Sequence, residues 1–296
     1  MLVKVALLYG VLLQVSISKL LQTFVIFRHG ARTPNSFFFE PDQYTEKPGD
    51  LTELGKRQVR ELGEHLRQKY IDEDKLVSGE YNKHEVFVKS SVKLRTNEST
   101  YYLLQGLFPN KDIKDINVYY ASIVRDLYYH AHDEKYCPFI VPLYQSLKHS
   151  EEYIKMEEYF QKHLYPGVVE KVNEGGRHKY TLDMLTIKQA KKIFDGYKCN
   201  EAHGKNNPKY SEEELNLFYK LNLWHLYQYK FGPELIQKLT NSPVFAEIHS
   251  FMKCISEKNK HLHSECPRLI IFSAHDSNIV PILKTLVPIG KSLEIS

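Results

Sequence analysis

Two short apolar runs, Phe24-Val25-Ile26-Phe27 and Leu269-Ile270-Ile271-Phe272, stand near opposite ends of the 296-residue chain. Each runs straight into a polar segment that carries a histidine. Their length and their β-branched and aromatic content predict buried strands. A third run, Val86-Phe87-Val88, repeats this grammar and ends in Lys89-Ser90-Ser91. Helical spacing follows the first and third runs. Thr52 can cap a helix reaching about Tyr70, with Leu62, Leu66 and Tyr70 on one face. Arg95 and Thr96 open another through about Leu104, stopped near Gly106 and Pro109. Strand–loop–helix units with polar groups at the strand ends predict the crevice of a doubly wound, Rossmann-like α/β sheet.

Residues 111–231 offer few strand candidates and several helices, near Leu147–Leu164, Thr186–Tyr197 and Glu212–Phe231. The last is rich in Tyr and Leu and carries the lone Trp224, which reads as core packing. The expected organisation is an α/β catalytic unit made of 19–110 and 243–296, with 111–242 as a largely helical insertion lying over the sheet. Within the second part of that unit, helices are expected over Pro243–Ile255 and Asn278–Leu286, the latter with Pro281 in its first turn. Before residue 19, Lys4 precedes an apolar stretch from Val5 to Leu13, and Ser16-Ile17-Ser18 places small residues at a cleavage site. Residues 1–18 therefore read as a signal peptide, with a buried N-terminal helix as the other reading, and the mature chain is expected to be secreted. No later stretch reaches the length of a membrane span. The net charge of +4 is mild and forms no basic block, so nucleic acid is not an expected partner.

The polar segment after the first strand reads Arg28-His29-Gly30-Ala31-Arg32-Thr33-Pro34. Each guanidinium presents a fixed fork of donors that matches phosphate oxygens, so Arg28 and Arg32 can form an anion cradle. Gly30 would let the backbone approach a ligand or adopt a φ that other residues avoid. Set in that cradle, His29 can attack phosphorus as a nucleophile. The plainer reading is a surface loop with two solvated arginines and a satisfied histidine, and the full motif directly after a strand argues against it. Other histidines are less pointed. His130-Ala131-His132-Asp133 has the alternation seen in zinc sites, but no further ligands follow at metal spacing, so ordinary loop histidines are the favoured reading. His261 and His263 read as a solvated turn. Of the four cysteines, Cys254 and Cys266 flank a short polar loop between a helix and the last strand and are the favoured disulfide.

The first motif resembles the signature of the histidine acid phosphatase family, which includes animal and insect venom acid phosphatases and the histidine-type phytases. The family's second signature, a His-Asp pair, is matched by His275-Asp276 directly after the strand Leu269–Phe272. The resemblance covers about Phe24 to Leu286 and implies a phosphoglycerate-mutase-like fold. It implies hydrolysis of a small phosphate monoester through a phosphohistidine at His29, with Asp276 as proton donor. Arg28, Arg32, Arg95 and His275 would hold the phosphate, with neither metal nor cofactor. Lys89 and Lys93 stand where the family has Arg and Asp, which supplies charge without the bidentate fork. The alternative is a catalytically weak or inactive secreted binding protein of salivary or venom type. A phosphoglycerate-mutase-like transferase shares the Arg-His-Gly loop, but the leader speaks against it. Asn97-Glu98-Ser99 is a glycosylation sequon beside the expected site. By resemblance the partners of Cys137 and Cys199 would lie beyond the His-Asp motif, where this sequence ends. Those two cysteines are expected to be free or bonded to each other, with a sheet edge left open to association, a homodimer included.

Overall fold

The structure is a computed structural model that describes residues 19–39, 43–120, 127–174, 179–256 and 266–286. The segment 1–18, His261, His263 and the tail after Leu286 lie outside the described residues.

Four strands, β1 (Thr23–Arg28), β2 (Val86–Ser90), β3 (Val118–Tyr120) and β4 (Leu269–Ala274), make one parallel sheet in the order β1-β4-β2-β3. Every residue of β4 is buried, as a central parallel strand with a continuous apolar run requires. β1 differs from expectation. It is an edge strand among the described residues, and only Phe27 of its apolar run is buried. β3 was not legible in sequence, because three residues with two exposed tyrosines carry no periodic signal. It joins the sheet although it lies within the span read as the helical insertion.

Helices cover both faces of the sheet. On one face Val86, Val88, Leu269 and Ile271 pack with Val59 and Leu66 of α1 (Glu53–Arg67) and with Leu103, Leu104 and Leu107 of α2 (Leu94–Leu107). On the other, the Phe87 ring lies 4.9 Å from Phe251 of a long helix, Glu234–Ser256, and 6.4 Å from Phe272. This is the doubly wound α/β arrangement the sequence predicts. Thr52 caps α1 as expected, its hydroxyl accepting from the Gly55 amide at 3.3 Å. α2 stops at Leu107, before Pro109 and one residue past Gly106, as expected, and Gly106 has a packing role as well. A Cβ there would lie 2.2 Å from the Arg60 carbonyl, and one at Gly63 would lie 2.1 Å from that of Leu103. The two glycines let α1 and α2 approach backbone to backbone.

Between β3 and β4 come α3 (Leu127–His130), α4 (Val141–Lys148), α5 (Glu151–His163), α6 (Tyr165–Glu174), α7 (Ile187–Ala202) and α8 (Glu212–Trp224). All of these but α3 share a separate core that includes Ile140, Phe160, Leu164, Ile193, Phe218 and Trp224. The expected single helix over Leu147–Leu164 is two. Ser150 ends one and caps the next, its hydroxyl accepting from the Tyr153 amide at 3.2 Å. Thr186 and Ser211 cap α7 and α8 in the same way, and a π turn, His225–Lys230, continues α8. The long helix, α9, begins nine residues before the expected Pro243 and carries that proline inside it. The last, α10 (Asp276–Leu286), begins at Asp276, so Pro281 lies mid-helix and not in its first turn. The Cys254–Cys266 disulfide is present, and Cys137 and Cys199 are free.

The α1–α2 contact gives a test whose sign is opposite to ordinary helix propensity. Replacing a helical glycine by alanine normally stabilises by about 1 kcal/mol. Gly63→Ala must instead push two helices apart, and a loss of about 1–3 kcal/mol is expected, as for overpacking. Gly79→Ala, whose Cβ would meet nothing nearer than 3.8 Å, serves as the control. Thermal melts of both variants decide it, and a melting point for Gly63→Ala at or above wild type would refute the close-approach account.

Candidate active site

Parallel pairing sets the site. β1 and β4 pair in register from Thr23↔Leu269 to Arg28↔Ala274, so the residues that follow, His29 and His275, emerge side by side. Their ring centroids are 5.6 Å apart. The loop after β2 is stitched into the same corner. Ser91 N donates to Ser273 O at 3.1 Å, Ser273 Oγ donates to Thr96 O at 3.1 Å, and Gly30 N donates to Ser99 Oγ at 3.1 Å. His29, Arg32, Arg95, His275 and Asp276 thereby line one cleft of about 760 Å³, roofed by the helices between β3 and β4.

His29 is 5% exposed, and its Nδ1 lies 2.9 Å from the Gly30 carbonyl. A carbonyl can only accept, so the ring proton sits on Nδ1 and Nε2 keeps its lone pair. Burial, then the charge of Arg28, pushes its pKa down to about 2, so the imidazole stays neutral through the mildly acidic range. Gly30 is not in the left-handed region; its need for no side chain comes from the Gly55 carbonyl, 2.3 Å from where a Cβ would sit. The close approach here is to α1.

The arginines are held differently from one another. Arg95 is partly buried and its Nε has no hydrogen-bond partner. Burial and repulsion from Arg32 push its pKa down to about 10, the mark of cations gathered without enough anions. Arg32 is pinned by a bidentate pair to Asp195 of α7, at 2.7 Å from Nη2 and 3.1 Å from Nη1, and its Nη1 also donates to Thr33 O. Its buried Nε is left without a partner. Arg28 does not line the cleft. It is half-exposed at the strand end, with Nε 3.6 Å from Asp276 Oδ2.

Asp276 stands at the N-terminus of α10, where the helix dipole favours a carboxylate. Desolvation opposes its ionisation, but Arg28 and the Ser277 amide outweigh that, and its pKa lies below the usual carboxylate range. His275 shares a 3.0 Å hydrogen bond with Ser91 Oγ, and burial with Arg95 nearby pushes its pKa down to about 3. Lys93 lines the cleft, whereas Lys89 turns away to Glu247 at 2.9 Å. Asn97 lies in α2, its side-chain oxygen accepting from Ser90 Oγ at 3.1 Å.

His130 and His132 are not loop histidines at the surface. Both are buried and line the cleft, His130 with its ring 5.7 Å from that of His275. Among the described residues no group of three or more His, Cys, Asp or Glu could hold a metal ion. Sequence reading missed Asp195, Ser91 and the cations on the helical wall. The signal for Asp195 was there, since Lys188, Lys191, Lys192 and Asp195 recur at helical spacing in a segment already read as a helix.

Residues 19–294 match the histidine phosphatase superfamily (branch 2). The chain belongs to that family. It is 28% identical over 272 residues to human prostatic acid phosphatase, covering 86% of this chain and 66% of that protein. To human lysosomal acid phosphatase it is 25% identical over 289 residues, covering 88% and 62%. The chain thus spans somewhat under two thirds of the length of these curated relatives. Among solved structures, the phytase from Citrobacter braakii superposes with a TM-score of 0.65 at 17% identity, covering 91% of this chain and 76% of that one. This likeness confirms the histidine phosphatase fold.

The buried histidines of this member of the histidine phosphatase superfamily fix the sign of its acid stability. Unfolded histidine takes up a proton below about pH 6.5. In the folded chain His29 and His225 do so only near about 2, His275 near about 3 and His130 near about 4, with His132 also well below its ordinary value. Between these values the unfolded state binds more protons, so stability falls as pH falls, by up to about 1.4 kcal/mol per pH unit for each histidine that stays neutral. The depressed Asp276 adds a loss in the same direction at more acid pH. The melting temperature should therefore drop from pH 7 to pH 4.5, and inorganic phosphate should restore part of it. A melting temperature that holds or rises without phosphate would contradict the neutral-histidine account.

Proposed function

We propose that this chain hydrolyses phosphate monoesters through a phosphohistidine at His29. The single observation that carries the reading is the His29 ring, buried beside two arginines and fixed by Gly30 O in the tautomer whose free nitrogen faces the cleft. The phosphoryl group lies against Arg32, Arg95 and His275, which stabilise the charge on its equatorial oxygens. The Nε2 lone pair forms the N–P bond as the ester P–O bond breaks, and protonated Asp276 gives its proton to the departing alkoxide. Water then attacks phosphorus, Asp276 recovers a proton from it, the N–P bond breaks, and inorganic phosphate leaves. Substrate charge offsets the cations that depress Asp276, so the acid form returns when phosphate binds, which fits turnover at acid pH. The acid phosphatases among the relatives support this reading.

Secretion belongs to the same proposal, supported by the Lys4–Ser18 leader pattern and the Cys254–Cys266 disulfide. One observation favours the alternative of a binding protein with little turnover. Asp195 occupies both terminal nitrogens of Arg32, so a phosphate must share or displace it.

Two variants test the chemistry. His29→Ala should abolish p-nitrophenyl phosphate turnover between pH 4 and 8 and the trapping of labelled phosphate on the protein. Asp276→Asn should slow alkyl esters by about 10²–10⁴-fold while sparing activated aryl esters, which need little general acid help. Phosphate binding without turnover in wild type would favour the binding protein. Phosphoenzyme in His29→Ala, or equal losses on both ester types, would remove these residues from their roles.

A further inference from the structure

One face of α7 lies against the loop that follows β1. Asp195, Cys199 and His203 stand on it at four-residue steps, the last as the C-cap of the helix. Asp195 accepts from both terminal nitrogens of Arg32 and, at 3.3 Å each, from the amide and side-chain nitrogens of Asn35. Arg32 Nη1 also lies 3.6 Å from Cys199 Sγ. His203 takes a different route. It does not line the cleft, and its Nε2 lies 2.7 Å from Thr52 Oγ1, the shortest contact that hydroxyl makes.

Thr52 joins two parts of the site. Its amide donates to Ala31 O at 3.1 Å, and its hydroxyl oxygen lies 3.2 Å from the same carbonyl. Gly55 N donates to that oxygen at 3.3 Å. Ala31 stands between Gly30 and Arg32, and Gly55 is the residue whose carbonyl backs Gly30. The ring of His203 decides where the hydroxyl proton goes. Its Nδ1 lies 2.7 Å from Cys199 O, which can only accept, so Nδ1 carries a proton and Nε2 of the neutral ring is an acceptor. Thr52 has one hydroxyl proton and two acceptors in reach, and the nearer one, His203 Nε2, takes it. The lone pairs of the hydroxyl are then left to the Gly55 amide. The imidazole is itself braced, since the Tyr44 ring meets it edge-on at 5.5 Å and Tyr44 OH donates to Asn200 Oδ1 at 3.0 Å.

We propose that His203 is a positioning residue for the nucleophile loop: through Thr52 it ties Ala31, and with it the path of the chain from His29 to Arg32, to the end of α7. The role rests on the phosphate-ester reading of the His29–Asp276 centre and adds to it a residue that touches no reacting atom. Asp195 holds the side chain of Arg32, and His203 holds the backbone beside it. Loss of the His203 link moves His29 more than it moves the phosphate, which Arg95 and His275 still hold from other elements. The effect therefore falls on kcat and spares KM.

The two amide analogues of histidine separate the roles of its nitrogens. Asparagine keeps a donor near the Nδ1 position for Cys199 O but is too short to reach Thr52, while glutamine places its amide near the Nε2 position. The test measures kcat and KM for p-nitrophenyl phosphate in wild type, His203→Asn, His203→Gln, Thr52→Val and the double variant H203N/T52V, each well below its own melting temperature. His203→Asn should lower kcat roughly 10- to 100-fold with KM changed less than about threefold, and His203→Gln should recover most of that loss. Thr52→Val should also lower kcat, and H203N/T52V should be no worse than Thr52→Val alone, because both substitutions remove one link. A kcat for His203→Asn within about threefold of wild type overturns the role, as does a loss confined to KM. A loss that His203→Gln does not recover, or that adds in full to that of Thr52→Val, overturns it too, and each of these results leaves the phosphatase reading intact. A wild type without turnover overturns the phosphatase reading and this role with it.

Discussion

The parallel pairing of β1 with β4 is the constraint on which the site depends. Six register pairs end at Arg28↔Ala274, so two segments from opposite ends of the sequence leave the sheet at the same level and in the same direction. Because side chains alternate along a strand, a slip of one residue would turn His29 and His275 to opposite sides. The register is secured from both neighbours. β4 is buried over its whole length between β1 and β2, and the Ser91 and Thr96 hydrogen bonds lock the third strand end to the same corner. Backbone contact with α1 at Gly55 then fixes the path of the chain after His29.

Upon that frame the chemistry is mostly a question of charge. Burial keeps His29 neutral, and the charges of Arg28 and Arg95 help to keep it so. The carboxylates are distributed to support this. Asp195 holds Arg32 from the helical side, and Asp276 meets Arg28 from α10. What is left over is a positive cleft with unpartnered guanidinium donors, organised before any ligand arrives. Preorganisation of this kind is where electrostatic catalysis draws its strength, because the donors need not reorient as charge develops.

Much of this was legible in the sequence, and the limits have physical causes. The strands at Phe24, Val86 and Leu269 were visible because their apolar runs are abrupt, and Thr52 announced a helix by its capping chemistry. The Arg28–Pro34 and His275-Asp276 motifs were visible because each follows a strand directly. Helix boundaries were harder. Pro243 and Pro281 looked like helix starts, yet tertiary packing carries helices through both. Gly30 was read as room for a ligand or for an unusual φ and Gly106 as part of a helix stop, and neither reading showed that each is also a point where two backbones meet. Such a contact depends on a partner far away in sequence, so no local pattern reveals it. The helical face that carries Asp195 was legible, but its pairing with Arg32 was not, since that partner lies on another element.

The same neutral histidines tie function to acidity. Burial and neighbouring cations hold His29, His130 and His275 neutral, and this costs stability as pH falls, since the unfolded chain takes up the protons they refuse. An anion in the cleft reverses the balance. Its charge relieves the repulsion between Arg32 and Arg95, and it makes protonation of Asp276 and His275 less costly. Ligand binding and proton uptake are therefore linked, and by reciprocity a lower pH strengthens anion binding for as long as the fold survives. The acid limit of the protein is then set by two opposed proton equilibria in one cluster. One loosens the empty chain, and the other tightens the loaded one.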